Sequence, residues 1–268
     1  MTHAKAIFFG EHSVVYGKKG ITIPLPEMTV KATLIKTNEV QKRDEILQYI
    51  CEQCKIDNKT KVVIESKIPV GRGLGSSAAL SIAIARANNC NNIREIANRC
   101  EKFIHGNPSG IDVNQVLSDT PLIFSKNEGA RPIEFNLECF LLIIDTGIVG
   151  ITKNAVERVK NNYNKNEKYI ERLGEITEKV ITHLQNKDVI NVGKFMDEAH
   201  YNLEKIGVSH PSNNEVVQIC KEYGALGAKI TGGGDGGCCI ALVKSKDNAN
   251  YIKNKLKEHG YLSWIVTV

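Results

Sequence analysis

The stretch Pro69–Ala79, reading PVGRGLGSSAA, constrains this chain more than any other. Gly71, Gly73 and Gly75 alternate with Arg72 and Leu74, and Ser76 and Ser77 follow at once. Glycine lets a backbone pass through positive φ and lets another group come close to its N–H atoms. The run that follows, AALSIAIARAN, is a strong helix former, with Ser76 expected at the N-cap. A glycine loop that opens a helix points several backbone donors outward at the positive end of the helix dipole, an arrangement suited to phosphate. The two hydroxyls can also serve a magnesium ion. An ordinary strand-to-helix turn is the alternative, and the loop by itself does not displace it. The spacing is G-x-G-x-G with no lysine before the serines, so the loop is neither a Walker A sequence nor a GxGxxG fingerprint.

At 268 residues the chain can hold one large domain or two modest ones with proper cores. A net charge of +5 tolerates anionic ligands, yet no basic stripe studded with aromatics argues for nucleic acid. The lysine- and asparagine-rich run Lys153–Lys168 is interleaved with Glu157 and Glu167 and reads as a solvated helix face. No apolar run is long enough for a bilayer and the N-terminus lacks a leader pattern, so a cytoplasmic protein is expected. The eight cysteines include one lone C-x-x-C, Cys51 and Cys54, without a second pair at zinc spacing; reduced, mostly buried thiols are the economical reading.

Along the chain, strands are expected at Ala4–Phe9, ITIPL, Thr29–Ile35, Lys61–Ser66, Pro121–Ser125, Phe140–Thr146, Ala228–Thr231, Cys238–Val243 and Leu262–Val268. Helices are expected over Asp44–Cys54, from Ser76, about Ile93–His105, in two long stretches through Ile170–Leu184 and Val189–Leu203, and over Asn213–Tyr223 and Asp247–His259. The mixture argues for an α+β chain of two domains joined near residue 137.

Three ionisable residues bear on a phosphate reading. Asp112 closes HGNPSGID, where an irregular turn could hold a carboxylate ready to take a proton from an attacking hydroxyl; the alternative is a helix N-cap for VNQVL. Glu101 could be the carboxylate half of a magnesium site completed by a loop serine, or simply a surface glutamate. Lys5 could place a charge on a phosphoryl group, or could be an edge lysine that discourages sheet extension. A second glycine loop, Gly232–Gly237, lies between two strands, where so many glycines suggest the close approach of a ligand or another loop.

Taken together, KAIFFGEHSVVYG, PVGRGLGSSAA, HGNPSGID and KITGGGDGGCC resemble, in order and approximate spacing, the mevalonate kinases of the galacto-, homoserine, mevalonate and phosphomevalonate (GHMP) kinase superfamily. The likeness covers essentially the whole chain. GLGSSAA identifies the superfamily alone, whereas GEHSVVYG with HGNPSGID points to mevalonate. The resemblance implies a two-domain GHMP-kinase fold, with a ribosomal-protein-like α/β domain over 1–136 and a ferredoxin-like α+β domain over 137–268. It implies ATP- and Mg2+-dependent phosphorylation of the 5-hydroxyl of mevalonate. Carried over by position, Asp112 resembles the general base and Lys5 the residue that polarises the hydroxyl. Ser77 and Glu101 resemble magnesium ligands; Gly71, Arg72, Gly73, Leu74, Gly75, Ser76 and Ser77 match the triphosphate loop, and Ser66 a nucleotide contact. Glu11, His12, Thr231 and Gly232 match positions that face or border the substrate. Isoprenoid diphosphates are expected as inhibitors competing at the nucleotide site, and the chain as a monomer or homodimer.

The sequence departs from the family where His3-Ala4 replaces the usual Pro-Gly before Lys5, in a short Asn88–Asn92 connection, and at Asp235 within the second glycine loop. A phosphomevalonate or sugar kinase is one alternative; a phosphorylated substrate should draw extra basic residues to the site. A non-catalytic nucleotide sensor is another, against which Lys5, Glu101 and Asp112 stand together.

Overall fold

A computed structural model describes residues 1–106, 108–150 and 152–268. Its elements, in chain order, are β1 (Thr2–Phe9), a short 3-10 turn (Ser13–Tyr16), β2 (Gly20–Lys36), α1 (Glu45–Gln53), β3 (Thr60–Ser66), α2 (Ser76–Ala87), α3 (Ile93–His105) and α4 (Ile111–Val116). There follow β4 (Leu122–Ser125), β5 (Gly129–Pro132), β6 (Phe140–Asp145), α5 (Thr152–Asn161), α6 (Tyr163–Gln185), α7 (Val189–Lys205), α8 (Pro211–Glu222), β7 (Gly227–Thr231), β8 (Cys238–Val243), α9 (Lys246–Glu258) and β9 (Leu262–Thr267).

The residues pack as two compact units that do not follow a single cut in the chain. The first holds Met1–Lys5, Pro24–Val70 and Leu74–Asp119; the second holds Ala6–Ile23, Gly71–Gly73 and Thr120–Val268. The junction expected near residue 137 is therefore not where packing divides the molecule. β1 and β2 are each shared along their length, and the start of the glycine loop leaves the first unit for three residues.

β2 is the reason. It was expected as two strands, ITIPL and TVKATLI, with residues 26–28 between them. It runs unbroken for 17 residues, pairing antiparallel with β4 at Gly20–Thr22 and with β3 at Val30–Lys36. Pro24 and Pro26 fall between these two registers, where their missing N–H groups cost neither ladder a bond.

In the first unit, α1, α2 and α3 close over β2 and β3 around Ile50, Cys51, Cys54, Ile56, Ile84, Ala85, Ile96 and Cys100, with Ala32, Leu34 and Val62 packed against them. Asp44 caps α1 by accepting from the Leu47 N–H. All eight cysteines are free, in line with the expectation of reduced thiols.

In the second unit, an antiparallel sheet has the order β7-β8-β6-β9, with Ile143 opposite both Ile240 and Trp264. α7 lies against β7 so closely that a Cβ at Gly227 would stand 2.0 Å from the Gly193 carbonyl oxygen. Both positions therefore require glycine. The lysines of α5 face outward while Ala155 and Val159 are buried, as a solvated helix face predicts. Among the described residues, no helix is long and apolar enough to cross a membrane.

Candidate active site

The first unit gathers Lys5, Ser77, Glu101, His105 and Asp112 from four elements. Lys5 sits on β1 with its N–H donating to the Leu74 carbonyl at 3.0 Å. Its side chain is buried to 2% exposure, and its Nζ lies 2.9 Å from Asp112 Oδ1, whose side chain is 29% exposed. β1 is the end strand of its sheet, yet Lys5 does not guard that edge in solvent: it is buried, and a buried ammonium calls for a counter-charge such as Asp112. Nor is Asp112 an N-cap. Gly110 holds that position in the left-handed region, and Asp112 lies within the first turn of α4.

The start of α2 faces the same lysine. Gly75, not the expected Ser76, is the N-cap, at φ 71. A Cβ there would come within 3.0 Å of Lys5 Cγ. Glycine thus serves twice, supplying the left-handed turn and leaving room for the buried lysine. Ser76 and Ser77 become the first residues of the helix, where backbone N–H groups have no intrahelical acceptor.

Glu101, on α3, is 2% exposed and so not a surface glutamate. Burial, with the Asp112 charge adding to it, pushes its carboxyl up to about 7, against the opposing pull of Ser77 and Lys5. Its Oε1 is buried with no hydrogen-bond partner among the described residues. An orphaned carboxylate oxygen beside a serine hydroxyl fits a hard divalent cation. Among the described residues no three His, Cys, Asp or Glu side chains are grouped to hold a metal alone.

His105 was not among the expected site residues. Its Nε2 lies 3.2 Å from Ser77 Oγ and 3.7 Å from Glu101 Oε2, and burial lowers its pKa. Its spacing of four from Glu101 on one helix was the available signal. Ser66 is exposed, its hydroxyl engaged with the Ile68 backbone in a local turn.

The second unit carries the remaining expected residues. Glu11 and Lys229 form an ion pair with both side chains at 0% exposure. Lys229 also donates to the Ile230 carbonyl at 2.7 Å, and burial depresses its pKa while Glu11 opposes that. Thr231 Oγ1 accepts from the Ile7 N–H and donates to the Ile7 carbonyl, both at 2.9 Å. His12 is buried, its pKa lowered by that burial, and its Nε2 lies 2.9 Å from the Gly233 carbonyl, which selects a neutral ring protonated at Nε2. Glu11, through Lys229, and Thr231, through the Ile7 backbone, both expected to meet a substrate, thus make contacts within the protein.

The beginning of the glycine loop packs on the second glycine loop. A Cβ at Gly73 would stand 3.1 Å from the Thr231 carbonyl oxygen, and the Cys238 N–H donates to the Arg72 carbonyl at 3.1 Å. The multiplicity of glycines in Gly232–Gly237 is explained by this loop-on-loop approach.

Two family profiles match the sequence: "GHMP kinases N terminal domain" over residues 38–118 and "GHMP kinases C terminal" over 180–262. A curated mevalonate kinase of Thermococcus onnurineus is 31% identical, covering 91% of this chain and 89% of its own. Its counterpart in Pyrococcus furiosus is 31% identical with 91% and 88% covered. Among solved structures, the mevalonate kinase of L. major in complex with R-mevalonate superposes with a TM-score of 0.87 at 26% identity, covering 99% of this chain and 94% of that one. A phosphomevalonate kinase of Streptococcus pneumoniae, at 16% identity and a TM-score of 0.81, shares the fold alone.

Proposed function

Since this chain belongs to the GHMP kinase family, alongside its mevalonate kinases, we propose that it transfers the γ-phosphoryl group of ATP to the 5-hydroxyl of mevalonate, giving 5-phosphomevalonate. The observation that carries the reading is the half-buried pair of Lys5 and Asp112 beside the start of α2. Asp112 retains a solvent-open carboxylate and takes the proton of the hydroxyl as it attacks. Lys5 holds that carboxylate and offers its charge to the oxygen losing the proton. The glycine loop, Gly71 to Ser77, presents backbone N–H donors to the triphosphate, with Arg72 contributing through its main chain and Ser66 standing near the nucleotide. Phosphoryl transfer asks mainly for positioning and charge neutralisation, which such a set supplies.

Ser77 and Glu101 are the residues we assign to magnesium, and the orphaned Glu101 Oε1 supports that fit. The ion, when bound, neutralises charge on the phosphate oxygens. His12 and the backbone of Gly232 are assigned to mevalonate contact, with Glu11 and Thr231 holding the segments that carry them. The domain units in the evolutionary sense are taken as 1–136 and 137–268, since the two family profiles fall on either side of that division. Isoprenoid diphosphates would compete for the same glycine loop. Work in the cytoplasm, as a monomer or homodimer, completes the reading.

The test is ADP release with magnesium and ATP against mevalonate, phosphomevalonate, galactose and homoserine. Turnover confined to mevalonate is expected. Turnover on another alcohol would keep the chemistry and discard the substrate; silence with ATP still bound would favour the sensor.

A further inference from the structure

The second residue of the glycine motif uses its side chain in an unexpected direction. Arg72 does not extend freely beside its loop: its Nε lies 2.7 Å from Asp145 Oδ1, and its Nη2 donates to the Gly147 carbonyl at 3.0 Å. The side chains of Arg72 and Asp145 are only 14% and 11% exposed. Asp145 Oδ1 also accepts from the Gly147 N–H at 2.9 Å, so the guanidinium, the carboxylate and the turn after β6 form a closed circuit.

That circuit is laced to the backbone on both sides. The Gly150 N–H donates to the Gly71 carbonyl at 3.2 Å, and the Cys238 N–H to the Arg72 carbonyl at 3.1 Å. Thr146 Oγ1 donates to the Gly237 carbonyl at 2.7 Å, and the Gly237 N–H returns a bond to the Ile148 carbonyl at 2.8 Å. Three segments that are glycine-rich and poor in regular structure, 71–73, 145–150 and 236–238, are thereby tied into one knot, with a charge-assisted pair at its centre.

We propose that Arg72 and Asp145 are a positioning pair for the nucleotide: the ion pair fixes the backbone of Gly71–Gly73, and through it the donors of the glycine loop, without the guanidinium touching phosphate. The inference rests on the reading of that loop as the triphosphate cradle. Glycine-rich backbone has a large conformational freedom to lose, so a loop that must present several N–H groups at once gains from being fixed beforehand. Arginine suits the task because its planar guanidinium holds a permanent charge beside the carboxylate while Nη2 donates to the Gly147 carbonyl. Arg72 Nε and Nη1 are both buried with no hydrogen-bond partner among the described residues, so the approach to Asp145 is an ion pair and direct contact of the guanidinium with a phosphate is the rival that the test must separate.

A double-mutant cycle on Arg72→Met and Asp145→Asn separates them, with Arg72→Lys as the conservative variant. Two readouts are taken: amide hydrogen exchange of residues 71–73 and 147–150 in the ligand-free protein, and the dissociation constant for ATP. A positioning pair predicts faster exchange at those amides in both single variants and roughly tenfold weaker ATP binding in each. It also predicts no further loss in the double variant and partial recovery in Arg72→Lys. A direct phosphate contact predicts the reverse: Arg72→Met weakens ATP binding while Asp145→Asn leaves it unchanged, and the amides keep their protection. That result, or effects that add in the double variant, overturns the proposal. If the parent protein binds no ATP, the kinase reading fails separately, and unchanged exchange in the two variants would still overturn the positioning pair.

Discussion

The molecule contains two buried lysines paired with carboxylates, and they differ in one respect. Lys229 and Glu11, in the second unit, are both sealed at 0% exposure, and the lysine has a backbone carbonyl as a further acceptor. Lys5 is almost as deeply buried, but its partner Asp112 keeps 29% of its side chain open. A sealed pair can only hold structure: both charges are out of water, and removing either leaves the other uncompensated. An open pair has capacity to accept a proton, a cation or a ligand. The same two residue types thus make a sealed pair in one unit and, on the proposed reading, a reaction centre in the other.

The largest effect expected from breaking this comparison is Asp112→Asn. It should lower kcat by about 10²–10⁴, the range for loss of a general base, and leave ATP binding within a few-fold. Single-turnover ADP formation with a parallel ATP titration measures both. Full turnover would remove Asp112 as the base.

Glu11→Gln comes next. With the carboxylate gone, Lys229 becomes a buried cation without its counter-charge, and the fold should lose roughly 3–5 kcal/mol. Denaturant unfolding reads this directly. A change under 1 kcal/mol would show that the sealed pair is not structural.

The pH dependence of stability sharpens the other side. In the ligand-free protein the Glu101 carboxyl is raised to about 7 from its ordinary 4.5. The folded state therefore prefers the protonated form. This contribution is fully present below pH 4.5 and is lost as the pH rises through 7. At about 1.4 kcal/mol per unit it amounts to roughly 3 kcal/mol. Glu101→Gln should abolish that slope, and magnesium with ATP should restore stability at pH 8 in the parent alone. A parent and variant with parallel stability profiles between pH 4.5 and 8 would refute the assignment.

The smallest effect is at the loop. Gly75→Ala should cost about 1–2 kcal/mol of stability, because alanine is strained at φ 71. Since the new methyl also presses on Lys5 Cγ, turnover should fall more than stability alone explains. Thermal melting alongside the ADP assay tests this, and unchanged turnover would show that Gly75 is there for the turn only.

Much of this was legible in the chain itself. PVGRGLGSSAA announced a phosphate loop before a helix, and Asp112, Lys5 and Glu101 were named as chemistry-bearing residues. What the sequence could not supply was pairing at a distance. Nothing in the surroundings of Lys5 says that its partner lies 107 positions later, and the periodicity of α3 does not reveal that Glu101 is buried. The sequence reading split β2 in two, yet it runs on through Pro24 and Pro26, which fall where neither the β3 nor the β4 register needs a donor. The cap of α2 shifted from Ser76 to Gly75 because the turn needs a left-handed residue, and the buried lysine beside it leaves little room for a Cβ. Arg72 read as a loop residue, and only the fold shows its side chain turned to Asp145.

The most direct measurement is a matched pair of substitutions, Lys5→Met and Lys229→Met, each scored for turnover per folded molecule and for unfolding free energy. The open and sealed pairs predict opposite outcomes. Lys5→Met should lose turnover by at least about a hundredfold while unfolding near the parent midpoint. Lys229→Met should lose several kcal/mol of stability, its remaining folded molecules turning over at close to the parent rate. Equal losses of turnover in both, or a destabilised Lys5→Met that still turns over, would contradict the division of labour between the two lysines.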